Sequence, residues 1–367
     1  MRFLFTLPYY EWTGPAEPLA QLAQDLEVRG HQVTIWVEGK RSGDLFQRLE
    51  ALDLQVESPL ELSRKSTPLG VMRDLREAGE LMKGRFDVAV THMSADQLVL
   101  CQSRRVHGVP VFRYAQNQAS LNSSSSRRWL LRQADGYFVP SPQHRDHLCE
   151  RFRILPSRCE ILGGAVDLDA FHLGESRSTR DRWGCKPEHL VAVCVSRMKE
   201  ERRHGMLLKA FAEAVKQRPE LRLILVGRGE YQETLKVLVG DLGLNHCVHF
   251  PGYAKGNEVC QAFQAADLSI WLAEGNDGTC RAIGQSLACG RPVLGSRIGA
   301  IAAAIDPLRT GWLVGPDDEA ALAKTLAGLP SHDALPKPED LRKVAEHQWS
   351  RQHRCDQFAS SVEHLLS

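Results

Sequence analysis

The sequence predicts an α/β protein made of two doubly wound parallel-sheet domains. Three observations carry this expectation. Short apolar runs of strand length alternate with longer stretches of helical periodicity, and they do so in both halves of the chain. The 367 residues suffice for two domains of ordinary size. A polar stretch, "GESRSTRDRWG", interrupts the pattern near the middle and reads as a linker.

In chain order, "RFLFTL" (2–7), "QVTIWV" (32–37), "DVAVTH" (87–92), "PVFRYA" (110–115) and "GYFVPS" (136–141) read as strands of the first half. Between the first two lies "AEPLAQLAQDLEVRG", apolar at helical spacing and closed by Gly30. In the second half "LVAVCVS" (190–196), "LRLILVG" (221–227), "CVHF" (247–250) and "LSIWLA" (268–273) read as strands, and the Gly-Arg-Pro break that ends "EGNDGTCRAIGQSLACGRPV" leads into another. "GMLLKAFAEAVKQRP" and "EYQETLKVLVGDLG" are the helices between them. The expected division is an N-terminal domain over 1–165, a linker over 166–185 and a C-terminal domain over 186–349. The last helical stretch, 350–367, has no strand of its own and is expected to cross back to the first domain.

Composition narrows the function. Lys and Arg number 46 against 45 Asp and Glu, too balanced for a protein that grips nucleic acid by bulk charge. The ten cysteines contain no Cys-x-x-Cys pair, which argues against a zinc site and for a reducing, cytoplasmic setting. No apolar run approaches the roughly 18 residues of a membrane span. "MRFLFTLPYYEW" reads as a first buried strand and not as a signal peptide.

Ligands of open parallel sheets lie at the carboxyl ends of the strands. After the first strand, "PYYEWTGPAEPL" places Gly14 ahead of a helix start, which suits either close approach to a ligand or an ordinary turn. No Gly-x-Gly-x-x-Gly fingerprint follows, so a nicotinamide or flavin site is unsupported. After the strand at 190–196 comes "RMKEERRHG", with Arg197, Arg202 and Arg203. Arginines there suit a diphosphate; balanced by Glu200 and Glu201, the run also suits a solvated surface. Gly227 opens "GRGE", a tight turn. "DLD" (167–169) imitates a metal-binding Asp-x-Asp, but no His or Glu cluster accompanies it, and it reads as hinge. In "EGNDGTCRAIGQSLACGRPV" (274–293), Asp277, Gly278 and Thr279 lead into a helix starting near Cys280. Thr279 suits its cap, and Gln285 lies within it.

These residues, taken together, resemble the retaining GT-B glycosyltransferases of family 4, the glycosyl transferases group 1. Asp277 and Gln285 stand at the two acidic positions of that family's Glu, seven residues, Glu pattern, followed by "SLACGRPVLGS". "SRMKEERRHG" matches its Gly-Arg…Lys-Gly element, with Arg197 on the Arg and Arg202 on the Lys. "ELRLILVGRGE", "CVHFPGY", "AADLSIW" and "RTGWLVGPDDEAALAKTL" follow in the family's order, and the first half is similar more loosely. The resemblance implies two Rossmann-like domains facing a cleft. It implies transfer of a sugar from a nucleotide sugar, a UDP- or GDP-sugar, to an acceptor hydroxyl with retention and without a metal or other cofactor. Arg197 and Arg202 would meet the departing diphosphate, Asp277 the donor sugar and Gln285 the ribose. Tyr253 would line the base pocket; Gly14, Gly227, Gly278, Thr279 and Cys280 would approach the donor. His92 and Gln116 would stand on the acceptor or donor-sugar side. Such enzymes build cell-surface polysaccharide, lipopolysaccharide or glycoconjugates.

The chain departs from the family in three places: Gln285 for the second acid, Gln116 for a His, and Ala303 for a Glu. These departures leave open a second class, a GT-B-like protein that binds a nucleotide or partner without turnover. "SSSSRRWLLRQADG" sets Arg127, Arg128 and Arg132 around Trp129, Leu130 and Leu131. That patch suits either a plain surface helix or peripheral contact with the inner face of a membrane carrying a lipid-linked acceptor.

Overall fold

The structure is a computed structural model. It describes all residues except 13–15, 40–42, 63–67, 116–124 and 276, and the side chains of 126, 127 and 277 are likewise outside the description. The chain divides into two units. Met1–Gly164 and Arg351–Ser367 form one, Ala165–Ser350 the other.

The first unit is built on strands β1 (Arg2–Leu7), β2 (Gln32–Val37), β3 (Gln55–Glu57), β4 (Val88–Thr91), β5 (Val111–Tyr114), β6 (Gly136–Val139) and β7 (Cys159–Ile161). They form one sheet in the order β3-β2-β1-β4-β5-β6-β7, parallel throughout. Side chains alternate across it as the pleat requires: Phe3, Phe5 and Leu7 enter one core and Leu4 the other. Helices α1 (Ala16–Val28), α2 (Leu45–Glu50) and the C-terminal α15 (Arg351–Leu366) cover the first face. Helices α3 (Pro68–Met82), α4 (Ser94–His107), α5 (Ser125–Leu131) and α6 (Pro142–Phe152) lie on the other.

The last helix is integral to this unit. Phe358 is 1% exposed, and its ring centroid lies 5.6 Å from that of Phe3, 5.8 Å from Phe5 and 5.0 Å from Phe138. Arg351 donates to Asp25 of α1 at 2.7 Å.

The second unit repeats the plan with β8 (Leu190–Val195), β9 (Leu221–Val226), β10 (Val248–Gly252), β11 (Leu268–Trp271), β12 (Val293–Ser296) and β13 (Gly311–Val314) in the order β10-β9-β8-β11-β12-β13. Helices α8 (His204–Val215), α9 (Gln232–Asp241) and α13 (Glu319–Ala327) pack on one face. On the other lie α10 (Asn257–Gln264), α11 (Asp277–Ala288), α12 (Gly299–Ala304) and α14 (Pro338–Trp349).

Three strands escaped the sequence reading: β3, β7 and β13. Each is an edge strand of three or four residues, half-exposed in burial pattern. A strand with one neighbour and one wet side needs no apolar run, so it leaves no such signature. The stretch 166–185 is also no free linker. It belongs to the second unit and carries a short helix, α7 (Arg177–Arg182). Its charges have partners: Arg180 pairs with Asp267 at 3.2 Å, and Asp167 accepts from the backbone of Asp169 and Ala170 at 3.0 Å. That turn uses one carboxylate of "DLD" for the backbone.

The α15 contacts yield a stability test. Phe358→Ala removes a ring shared by three others and is expected to destabilise the first unit by about 3–5 kcal/mol. A urea titration followed by circular dichroism checks this; an unchanged midpoint contradicts the packing.

Candidate functional site

The strand order reverses beside β1 and β4 in the first sheet and beside β8 and β11 in the second. The loops leaving these strands diverge, and a crevice opens at their carboxyl ends. In the second unit, the loop after β8 meets the loop after β11. Arg202 donates to the Thr279 hydroxyl at 3.2 Å, while its Nε is buried with no partner. Helix α11 begins at Asp277, three residues ahead of the expected Cys280, so Thr279 lies in the first turn and is not its cap. Packing decided this: Thr279 is 5% exposed and taken up by Arg202, and Cys280 is buried with its thiol directed at the Ala300 carbonyl at 3.4 Å. Gly278 is exposed in that first turn.

Arg197 leaves β8 on the other side of the loop. It lines a cavity of about 610 Å³ with Ser196, Lys199, Gly227, Arg228, Glu230 and Tyr253. No described residue pairs with its guanidinium, which is exposed to that cavity. The two arginines therefore stand apart, Arg197 over the cavity and Arg202 against α11. Gln285 is half-buried, two turns along α11 from its start, and its amide meets no described partner. Eight residues at 1.5 Å rise put it about 12 Å along the helix from Asp277. Ala303 is exposed on α12, and so is Glu274 in the loop ahead of α11.

Sequence reasoning missed several pairings here. Ser196 Oγ lies 3.0 Å from Nε2 of His204, the first residue of α8. Arg203 holds a left-handed backbone (φ 60°) and pairs with Asp317 at 3.2 Å, itself left-handed (φ 59°). This ties the loop after β8 to the loop after β13. Arg228 stacks on Tyr253. The paired groups are far apart along the chain or merely polar, so no spacing signalled them; only the φ of Arg203 leaves a trace, at a place that favours glycine.

In the first unit, Gly14 and Gln116 lie outside the described residues. His92, just past β4, is 7% exposed, and its Nδ1 lies 2.9 Å from the Thr6 carbonyl. A carbonyl only accepts, so Nδ1 carries the proton and Nε2 keeps a lone pair. Burial, with the charges of Arg113 and Arg354 adding, lowers its pKa to about 3. Asp96 completes the corner, accepting from Thr6 Oγ at 2.7 Å and from the His92 backbone at 2.8 Å. His92 is thus a neutral, tethered strand-end group.

The basic-aromatic patch on α5 is smaller than its sequence suggests. Leu130 and Leu131 are 8% and 5% exposed, turned into the core, and Arg132 donates to the Phe152 carbonyl at 2.8 Å. Among the described residues of the patch only Trp129, 51% exposed, offers an apolar surface. Arg127 lies outside the described side chains. Among the described residues no helix is long and apolar enough to cross a membrane, and no three His, Cys, Asp or Glu cluster as a metal site would need.

Known proteins share this architecture. Residues 14–170 match Glycosyltransferase Family 4, and residues 175–348 match Glycosyl transferases group 1. The two matches together leave only the chain ends and a short junction uncovered. The chain belongs to the family-4 glycosyltransferases of GT-B fold. Among curated relatives, D-inositol 3-phosphate glycosyltransferase 2 of Catenulispora acidiphila is 30% identical over 205 residues, 53% of this chain and 48% of that one. D-inositol 3-phosphate glycosyltransferase of Rhodococcus jostii is 23% identical over 311 residues, 78% of this chain and 68% of that one. The match thus spans about half the length of the first relative. Of solved structures, a glycosyltransferase from Rickettsia africae superposes with a TM-score of 0.84 at 17% identity, covering 100% of this chain and 98% of that one. Anabaena Alr3699/HepE in complex with UDP gives 0.81 at 18%, covering 99% and 100%. At such identities the likeness is one of fold.

The histidines of this family-4 chain give a pH test. His204 is also buried, which lowers its pKa to about 4, with the Arg202 charge adding. Both folded values lie below the ordinary 6.5, so the folded state refuses protons that the unfolded state accepts. Stability is then full above about pH 6.5 and is lost as pH falls towards 4 and 3, by on the order of a few kcal/mol in all. His92→Gln, whose amide still donates to Thr6, is expected to flatten this decline. Thermal midpoints between pH 7 and 4 check it; equal slopes for the variant and wild type contradict the assignment.

Proposed function

We propose that the protein transfers a sugar from a nucleoside diphosphate sugar to an acceptor hydroxyl with retention of configuration. One observation carries this reading. Arg197 and Arg202 leave the same loop with guanidinium donors unmet, one over a 610 Å³ cavity and one at the start of a twelve-residue helix. Two arginines from one loop, one of them against the first turn of a helix, suit a diphosphate. A phosphate charge about 4 Å from one guanidinium gains roughly 4 kcal/mol at an effective dielectric near 20, before desolvation is subtracted.

In the proposed reaction the bond from the anomeric carbon to the diphosphate oxygen breaks. The acceptor oxygen bonds to that carbon on the same face, and its proton passes to the departing diphosphate. Arg197 and Arg202 act where charge develops, on the leaving group. Asp277, at the head of α11, contacts the donor sugar. Gln285 bonds the ribose hydroxyls with an amide, which both donates and accepts but binds more weakly than a carboxylate. The charge is met by arginine, and no metal or other cofactor is assigned a part. A role in cell-surface polysaccharide, lipopolysaccharide or glycoconjugate assembly agrees with the chemistry. The ten unpaired cysteines, all buried but Cys149, support a reducing cytoplasmic setting.

Gln285 also favours a second reading, nucleotide binding without turnover. A donor-consumption assay separates the two. In it, Arg197→Ala and Arg202→Ala are each expected to lower kcat/KM by about 10²-fold or more. Wild-type kinetics in either variant removes the site assignment. Gln285→Glu is expected to keep or raise donor affinity, and loss of binding would mean that the amide serves another ligand.

A further inference from the structure

Two cysteines of the second unit lie in contact. Cys260 is in α10, and Cys289 directly follows α11, its N–H bonded to the Gln285 carbonyl at 3.1 Å. Their sulfurs are 3.8 Å apart, and each residue is 1% exposed. A disulfide bond is about 2.05 Å long, so closing the gap takes roughly 1.8 Å of movement. The backbone around the pair is pinned. Arg291 donates to the Phe263 carbonyl at 3.2 Å and to the Gln264 carbonyl at 3.1 Å, which ties the turn after α11 to the end of α10. Arg342 of α14 donates to the Ala288 carbonyl at 3.3 Å and the Leu168 carbonyl at 3.0 Å. Two sulfurs held in this way meet each other far more often than either meets a free thiol.

The two sulfurs are not equivalent. The Cys289 thiol donates to the Cys260 sulfur and holds it below the usual thiol range; burial opposes this, and the His172 N–H, a second donor, supports it. Cys289, as the donor, is pushed above that range. His172 is exposed, so the Cys260 sulfur lies just beneath the surface segment that carries it. The other buried thiols differ. Burial pushes Cys101, Cys194 and Cys247 up, where a thiol is inert. Cys149 and Cys159 also approach each other, but burial raises both.

We propose that Cys260 and Cys289 form an oxidation site, closed by a peroxide into a disulfide that joins α10 to the end of α11. The Cys260 sulfur attacks one peroxide oxygen. An S–O bond forms, the O–O bond breaks, and the departing hydroxide takes the Cys260 proton and leaves as water. The Cys289 sulfur then attacks the sulfur of this sulfenic acid. An S–S bond forms, the S–O bond breaks, and the released hydroxide takes the Cys289 proton. Two electrons leave the thiol pair, and the peroxide becomes two waters. A thiol reductant reverses the bridge, as suits a reducing compartment where disulfides are transient. The site lies at the opposite end of α11 from Asp277 and does not depend on the nucleotide-sugar reading.

Hydrogen peroxide added to the reduced full chain, followed by alkylation and peptide mapping by mass spectrometry without reduction, tests it. Cys260 is expected to be joined to Cys289 at least about tenfold faster than Cys149 to Cys159, and dithiothreitol is expected to open the bridge again. Cys289→Ser keeps a hydroxyl donor but lacks the second sulfur, so Cys260 is expected to stop as a sulfenic acid that dimedone traps. In Cys260→Ser, Cys289 is expected to stay unlabelled by dimedone. The wild-type mapping stands without the variants, should either fail to fold. No Cys260–Cys289 bridge in the folded wild type, a bridge that forms only in urea, or a Cys149–Cys159 link within about tenfold of its rate overturns the proposal. Dimedone on Cys289 and not on Cys260 overturns it as well.

Discussion

Everything in the candidate site depends on one topological constraint, the reversal of strand order beside β8 and β11. Successive loops from one side of a parallel sheet pack on each other, but loops on either side of a reversal part. The gap must be bridged by side chains, and Arg202 reaching Thr279 is the bridge in the second unit. The first unit meets the same constraint differently. There the Thr6 carbonyl after β1 meets the His92 imidazole after β4, and Asp96 holds both. One crevice is spanned by the Arg202 cation; at the other the buried Arg113 faces the Asp96 carboxylate at 3.8 Å.

Charge around these crevices is arranged by burial more than by pairing. His92 and His204 each stand near arginine and away from water, and both are driven to the neutral form. A neutral His204 beside Arg202 does not compete with it for an anion, and it leaves the Ser196 hydroxyl a partner within the loop. Arg203 and Lys199 are engaged by Asp317 and Glu230, whereas Arg197 and Arg228 remain open to the cavity. The basic run that looks uniform in sequence is thus divided between side chains that brace the loop and side chains left open to the cavity.

Much of this was legible in the residue order, and the exceptions share a cause. Strands buried on both faces must be apolar throughout, so β1, β2, β8, β9 and β11 announce themselves. Edge strands β3, β7 and β13 do not, because exposure relaxes the demand. Spacing also placed Arg197 and Arg202 in the loop after β8, since loop position follows from strand position, but set the start of α11 three residues late. It could not show that Thr279 accepts from Arg202, that Leu130 and Leu131 of the basic patch point inward, or that Arg228 lies on Tyr253. These are facts of side-chain direction between segments remote in sequence.

The sequence by itself determined the two parallel sheets, the family and the loops at the carboxyl ends of the strands, because periodicity and motif order are local properties of the chain. Only the tertiary structure decided how "RMKEERRHG" is used. Which arginine is spent on Thr279, which on Asp317 and which is left open to a cavity depends on what the loops after β9, β11 and β13 bring alongside. Those neighbours arrive from 30 to 120 positions away, through a strand order that residue spacing does not encode.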